Sequence, residues 1–321
     1  MSEPIFAASG LSKSFKSSPG IFRKSIQVQA LENISFTLNR GETLAIVGET
    51  GSGKTTLAHV LSGLENADSG IMLLHGKPID FQQQTEHLLH QRIRLIFQNP
   101  GRTLNPRTTI EQTLLQPLQS CHKFPLHQHQ SMFIEMLQKV GLRADQAQWY
   151  PHMFSVGQQQ RIAIARALIS QPEIVVADEP LSSLDVSVQA QIVNLLLDLQ
   201  KQTGVSYIFI SHNLNVVQHI SDKVLVMFGG HTVEYGPSKE VFSNPIHPYT
   251  RSLLASTPGF RKNVPISWRG NEKVYTQSQG HINGCVFAHR CKEVSEQCLK
   301  VQPEQVPIDR QLVTCHKAKQ L

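Results

Sequence analysis

The chain alternates short apolar runs with longer stretches in which apolar residues recur at helical spacing. The runs lie at residues 43–47, 94–98, 174–177, 205–211 and 224–227, and β-branched or aromatic side chains dominate most of them. Residues 174–177, Ile-Val-Val-Ala, have no polar face and predict a strand buried on both sides. Helical stretches fall between the runs, at 56–61, 132–140, 161–169 and 188–202. Strands alternating with helices predict an α/β fold whose mainly parallel sheet is wrapped by helices. Residues 11–15 and 30–36 read differently, as an antiparallel pair joined by a basic loop with Pro19, Gly20, Arg23 and Lys24. Pro106 and Pro117 are expected to break up a mainly helical region that reaches about Pro151. Regular pattern fades after Asn244 and Pro245, which predicts a boundary between a domain at 1–245 and an extension at 246–321.

One loop dominates the chemistry. After the run at 43–47 come Gly48, Glu49, Thr50, Gly51, Ser52, Gly53, Lys54 and Thr55, then a helical stretch that opens with Thr56. This is G-x-x-x-x-G-K-T in the strand–loop–helix setting that a phosphate-binding loop requires. Its glycines let backbone N–H groups turn inward around phosphates. The helix N-terminus adds partial positive charge. Lys54 can reach the β- and γ-phosphates of a nucleotide, and the Thr55 hydroxyl can ligate Mg²⁺.

Composition narrows the class. With 40% hydrophobic and 17% charged residues among 321, the chain can build a core and is not of the disordered type. The net charge of +6 fits nucleic acid, an anionic membrane surface, or mere solubility. No secretory pattern opens the chain, and its apolar runs fall short of the ~20 residues of a membrane span. A cytosolic protein is the expectation, with its five cysteines reduced or metal-bound.

Three further sites sit at strand ends. Asp178 and Glu179 follow the run at 174–177; the first suits the Mg²⁺ shell, the second an attacking water. His212 closes the run at 205–211, where it can contact a γ-phosphate. Gln98 ends the run at 94–98, within reach of Mg²⁺ or water. Ser155 is placed to cap the helical stretch at 161–169. The histidines from His75 to His129 share no spacing and read as surface residues, and Cys121 as an ordinary thiol.

In this order and spacing the first 240 or so residues resemble an ATP-binding-cassette (ABC) ATPase. The resemblance implies ATP and Mg²⁺ as ligands, with Gln98 as the Q-loop glutamine and residues 174–178 as Walker B. It makes Glu179 the catalytic carboxylate and His212 the switch histidine. Phe154, Ser155, Val156, Gly157 and Gln158 stand as the signature, which faces the nucleotide of the opposite subunit, and Asp185 belongs to the D-loop. The helical subdomain spans about 99–160, and Phe15 is the aromatic expected to stack on adenine. The family signature has Gly where this chain has Val156, whose branched Cβ predicts a weaker composite site.

The segment from Asn244 to Leu254 resembles the one that follows the cassette in dipeptide, oligopeptide and nickel importers. Cys285, Cys291, Cys298 and Cys315 resemble the cysteine tail that holds a [4Fe–4S] cluster in some peptide-importer ATPases. Zinc and free thiols are the alternatives. The resemblance implies a paralogous ATPase partner, two permease subunits met through Arg102, Asn105 and Arg107, and a solute-binding protein outside the membrane. It implies a peripheral position on the cytoplasmic face of the cell inner membrane. Nickel or antimicrobial peptides are alternative cargoes. A soluble ABC ATPase on nucleic acid is a further alternative supported only by the basic charge, so no nucleic acid is expected.

Overall fold

The computed structural model describes residues 3–17, 26–79, 91–121, 123–260 and 284–319. The predicted basic loop with Pro19 and Arg23 lies outside the described residues, as do His87, His90 and His122.

Two sheets form the frame. The smaller is antiparallel, in the order β2-β1-β4-β5, with β1 Phe6–Ser17, β2 Ile26–Leu38, β4 Ser69–Leu74 and β5 Lys77–Pro78. Strands β1 and β2 are longer than the pattern predicts. Register shifts between Ala8 and Ser14 twist the pair and break its alternation.

The larger sheet has eight strands, in the order β11-β12-β10-β9-β3-β8-β7-β6. Its parallel part is β9 Lys223–Phe228, β3 Thr43–Val47, β8 Ser206–Ile210, β7 Ile174–Asp178 and β6 Ile93–Ile96. Every residue of β3, β7 and β8 is buried, as expected of strands covered on both faces by helices. The register sets Ile46 opposite Ile210 and Ala177 opposite Phe209. The carboxyl ends of the parallel strands therefore share one edge, where open α/β sheets bind ligands.

Helices Lys54–Leu61, Val156–Leu168, Val186–Thr203 and Leu214–Ile220 connect the parallel strands. Two more, Ile110–Cys121 and Leu126–Lys139, build the helical region on one flank. Pro117 lies inside the first of these, so it does not break the helix as expected; Leu114, Leu118 and Cys121 are buried on the packed face around it. His129 is buried too, its ring bonded to the Phe124 carbonyl at 3.1 Å, which corrects its reading as a surface residue.

The C-terminal segment is fused to the sheet. Strands β10 His231–Pro237, β11 Gln305–Ile308 and β12 Gln311–Thr314 add antiparallel to β9, with Glu234 opposite Val313. One apolar cluster unites Ala45 and Val47 of β3 with Tyr249, Phe260, Cys285, Phe287 and Cys298. Packing is thus continuous across residue 245.

Candidate active site

The phosphate loop follows β3 directly. Gly53 has φ 99 and ψ −1, and a Cβ there would lie 2.4 Å from the Ala30 carbonyl oxygen. Gly48 is as tightly placed, with Met227 O 2.2 Å from where its Cβ would be. Both positions require glycine. Lys54 turns back over the loop and donates from Nζ to the carbonyls of Gly48 and Glu49, each at 2.8 Å. Burial lowers its pKa, opposed by the charges of Glu179, Asp178 and Glu49. An ammonium held by carbonyls beside three carboxylates is poised to exchange them for phosphate oxygens. Thr50, Gly51 and Thr55 are exposed, and Ser52 is buried.

Asp178 ends β7 and is 5% exposed. Desolvation raises its pKa, and the Thr55 hydroxyl bonds its carboxylate and works the other way. Its Oδ1 is buried with no hydrogen-bond partner. An orphaned carboxylate oxygen beside a threonine hydroxyl is the donor set that Mg²⁺ takes in phosphate-loop enzymes. The two residues therefore fit that ion.

Glu179 is the next residue, with φ 44 in the left-handed region. Its N–H donates to Ile210 O at 3.0 Å, and the Ser182 hydroxyl and N–H donate to its carbonyl. These bonds hold an uncommon backbone angle that costs of order 1–3 kcal/mol. The turn aims the carboxylate at two partners from neighbouring strands. Gln98 Nε2 donates to Glu179 Oε2 at 3.2 Å, and His212 Nδ1 lies 3.3 Å from the same oxygen. The structure thus brings together three residues that follow three different strands of the sheet.

The signature residues stand apart from this group. Ser155 caps the helix Val156–Leu168 in a capping box: Ser155 Oγ accepts the Gln158 N–H at 3.3 Å, and Gln158 Oε1 accepts the Ser155 N–H at 3.0 Å. Gly157 packs on Val188, whose Cγ1 would lie 2.8 Å from an added Cβ. Val156 is half exposed, and Asp185 stands exposed at the N-terminal boundary of the next helix without a side-chain capping bond. Phe15 is exposed on β1, with the Lys13 ammonium 5.4 Å from its ring centre.

Cys285, Cys291, Cys298 and Cys315 line one cavity with His247, Phe287 and Glu293. Burial pushes the Cys285 and Cys291 thiols up to about 11, and the other thiols add to it. Among the described residues no group of three or more His, Cys, Asp or Glu side chains is arranged to hold a single metal ion. The thiols share a space without closing on one point. Four thiols around one cavity are the donor set of a thiolate-ligated cluster, and the residues present fit such a group.

Two residues at the loop have no local sequence signal. Tyr249 Oη accepts the Glu49 N–H at 2.9 Å, and Arg290 forks onto the Glu49 carboxylate. They lie 200 and 241 residues from Glu49, so only the fold brings them there.

Residues 31–182 match the family described as ABC transporter, and residues 233–298 match the oligopeptide/dipeptide transporter C-terminal region. The chain is 44% identical to the dipeptide transport ATP-binding protein DppF of Haemophilus influenzae over 317 residues, 97% of this chain and 96% of that one. It is 41% identical to the oligopeptide transport ATP-binding protein OppF of Escherichia coli over 303 residues, covering 92% and 89%. Among solved structures, cbiO1 from Clostridium perfringens, part of the ABC transporter complex cbiONQ, superposes with a TM-score of 0.66 at 27% identity. That match covers 82% of this chain and 98% of the other. With both family models matched and relatives above 40% identical over nearly the whole length, the chain belongs to the ABC transporter ATP-binding proteins of the oligopeptide and dipeptide transport family.

Proposed function

We propose that this chain hydrolyses ATP to energise an importer of di- and oligopeptides. The observation that carries the reading is Glu179, whose Oε2 faces both Gln98 and His212 on the sheet edge that presents the phosphate loop. Lys54 and the loop N–H groups would hold the β- and γ-phosphates. Thr55 and Asp178 would hold Mg²⁺, which neutralises charge developing on the phosphates, with Gln98 beside it. Glu179 would orient the attacking water and take its proton as the bond to the γ-phosphorus forms and the bond to the leaving ADP oxygen breaks. His212 would sense the γ-phosphate, and Phe15 would stack on adenine.

Among the described residues no hydrogen bond or ion pair joins Ser155, Gly157, Gln158 or Asp185 to residues 48–55, which suits service at a second ATP across a dimer. The partner is a paralogous ATPase, and the pair sits under two permease subunits fed by a solute-binding protein. Arg102, Asn105 and Arg107 are exposed and available to a permease. No described helix is long and apolar enough to cross a membrane. On this reading the chain works peripherally, beside its permease subunits on the cytoplasmic face of the cell inner membrane. Cys285, Cys291, Cys298 and Cys315 are proposed as the thiolate ligands of a [4Fe–4S] cluster that staples the tail; the support is their shared cavity.

The test is reconstitution of the complex in liposomes with its binding protein. Binding protein loaded with dipeptide should stimulate ATP hydrolysis and drive labelled dipeptide inward. Stimulation by nickel and not by peptide would overturn the cargo, and hydrolysis indifferent to both would overturn the importer.

A further inference from the structure

Two independent contacts join the C-terminal segment to the second residue of the phosphate loop. Arg290 donates from Nη1 to Glu49 Oε2 at 2.7 Å and from Nη2 to Glu49 Oε1 at 2.8 Å, a bidentate fork. Tyr249 Oη accepts the Glu49 N–H at 2.9 Å. One aromatic cluster holds both. The Phe228 and Tyr249 ring centres are 4.7 Å apart, and Phe287 meets each edge-on at 5.2 and 5.4 Å. The Arg290 guanidinium lies 5.4 Å from the Phe228 centre and 5.6 Å from that of Phe287. The Arg290 side chain is 17% exposed and that of Glu49 41%, so the arginine is the anchored half of the pair.

The same short stretch carries two of the thiols. Cys285 N–H donates to Cys298 O, Ala288 N–H to Cys285 O, Arg290 N–H to Phe287 O, and Cys291 N–H to Ala288 O. These turns fix Phe287 and Arg290 relative to Cys285 and Cys291. With these bonds intact, a displaced thiol would displace the guanidinium that grips Glu49. The grip matters at that point for two reasons. A glycine-rich loop has few side chains of its own to hold its amides in place. A bare Glu49 carboxylate would also repel the phosphates that the loop receives.

We propose that Arg290 and Tyr249 are positioning residues for nucleotide binding, coupling the phosphate loop to the four-cysteine cavity through Glu49. The inference rests on the reading that residues 48–55 take ATP. It makes the geometry of the thiols a determinant of nucleotide affinity, by contacts made within one chain.

The experiment is equilibrium binding of a fluorescent trinitrophenyl-ATP with Mg²⁺ to the full chain, with thermal midpoints recorded for each variant. Arg290→Ala should weaken binding about tenfold, and Tyr249→Phe about threefold. In a Glu49→Gln background the effect of Arg290→Ala should fall below about twofold, because Arg290 acts only through Glu49. Cys291→Ser should weaken binding in the wild-type chain and change nothing further when Arg290 is Ala. If Arg290→Ala does not fold, Arg290→Lys, which loses the fork and keeps the charge, completes the same cycle. Equal losses in both backgrounds would overturn the proposal, since Arg290 would then act without Glu49. Unchanged affinity in Arg290→Ala would overturn it too, with nucleotide binding itself intact. A wild-type chain that fails to bind the probe would instead contradict the ATP reading beneath it.

Discussion

His212 Nδ1 stands 3.3 Å from Glu179 Oε2. The two residues follow adjacent parallel strands, and the register that sets Asp178 opposite Ile210 puts the histidine beside the carboxylate. The pair is partly open, with His212 62% and Glu179 20% exposed, so both side chains can be reached from outside.

From this contact His212→Ala should lower ATP turnover by about 10²-fold, the lower end for removal of an acid–base partner. Nucleotide affinity should change less than about threefold, because Lys54 and the loop amides are untouched. Steady-state hydrolysis alongside a binding titration separates the two effects. Equal losses in both would assign His212 to binding instead.

Gly53→Ala should destabilise the chain by about 2–4 kcal/mol and abolish nucleotide binding. The added Cβ meets the Ala30 carbonyl oxygen at 2.4 Å, and φ is 99. Urea unfolding would measure the loss. A cost below about 1 kcal/mol would mean that β2 and the loop can move apart.

Val156→Gly should raise hydrolysis by the assembled complex and lower the stability of the isolated chain by less than about 0.5 kcal/mol. The first effect removes a branched side chain from an exposed helix start that would face a partner's nucleotide. The second is the cost of glycine relative to valine in a helix. A complex whose rate is unchanged would show that Val156 does not limit its site.

His247 sets a pH dependence. It is buried, and its Nδ1 accepts the Tyr249 N–H at 3.0 Å as the cap of the helix Pro248–Ser256. Desolvation, with the nearby Arg251 charge, drops its pKa to about 3, below the unfolded value of 6.5. Its stabilising contribution is therefore complete above pH 6.5 and is lost as pH falls toward 3. At pH 5.5 the wild-type chain should have lost about 1 kcal/mol relative to His247→Asn, which can cap without titrating. Unfolding free energies of the two chains at pH 7 and 5.5 test this; parallel curves would contradict it.

Much of the site was legible because the chemistry follows strands buried on both faces. Such strands read as unbroken apolar runs, so β3 Thr43–Val47 and β7 Ile174–Asp178 match the sequence reading to within a residue. The motifs at their ends are contiguous and carry their own context. The antiparallel strands added beyond β9 were not legible. Gln311–Thr314 is four residues with half-buried alternation, and His231–Pro237 contains Gly236 and Pro237, which read as turn. Pro117 misled because the helix around it is held by tertiary packing, which outweighs the local penalty. The grip of Tyr249 and Arg290 on Glu49 had no sequence signal, since it joins residues brought together only by the tail folding onto the sheet.

The most direct test of the central claim is single-turnover hydrolysis with Glu179→Gln. The substitution keeps the size of the side chain and an acceptor for Gln98 while removing the base. The account predicts that the variant binds Mg²⁺–ATP as tightly as the wild-type chain and cleaves it at least about 10²-fold more slowly. Wild-type cleavage by Glu179→Gln would contradict the account, because the carboxylate between Gln98 and His212 would then have no part in the chemistry.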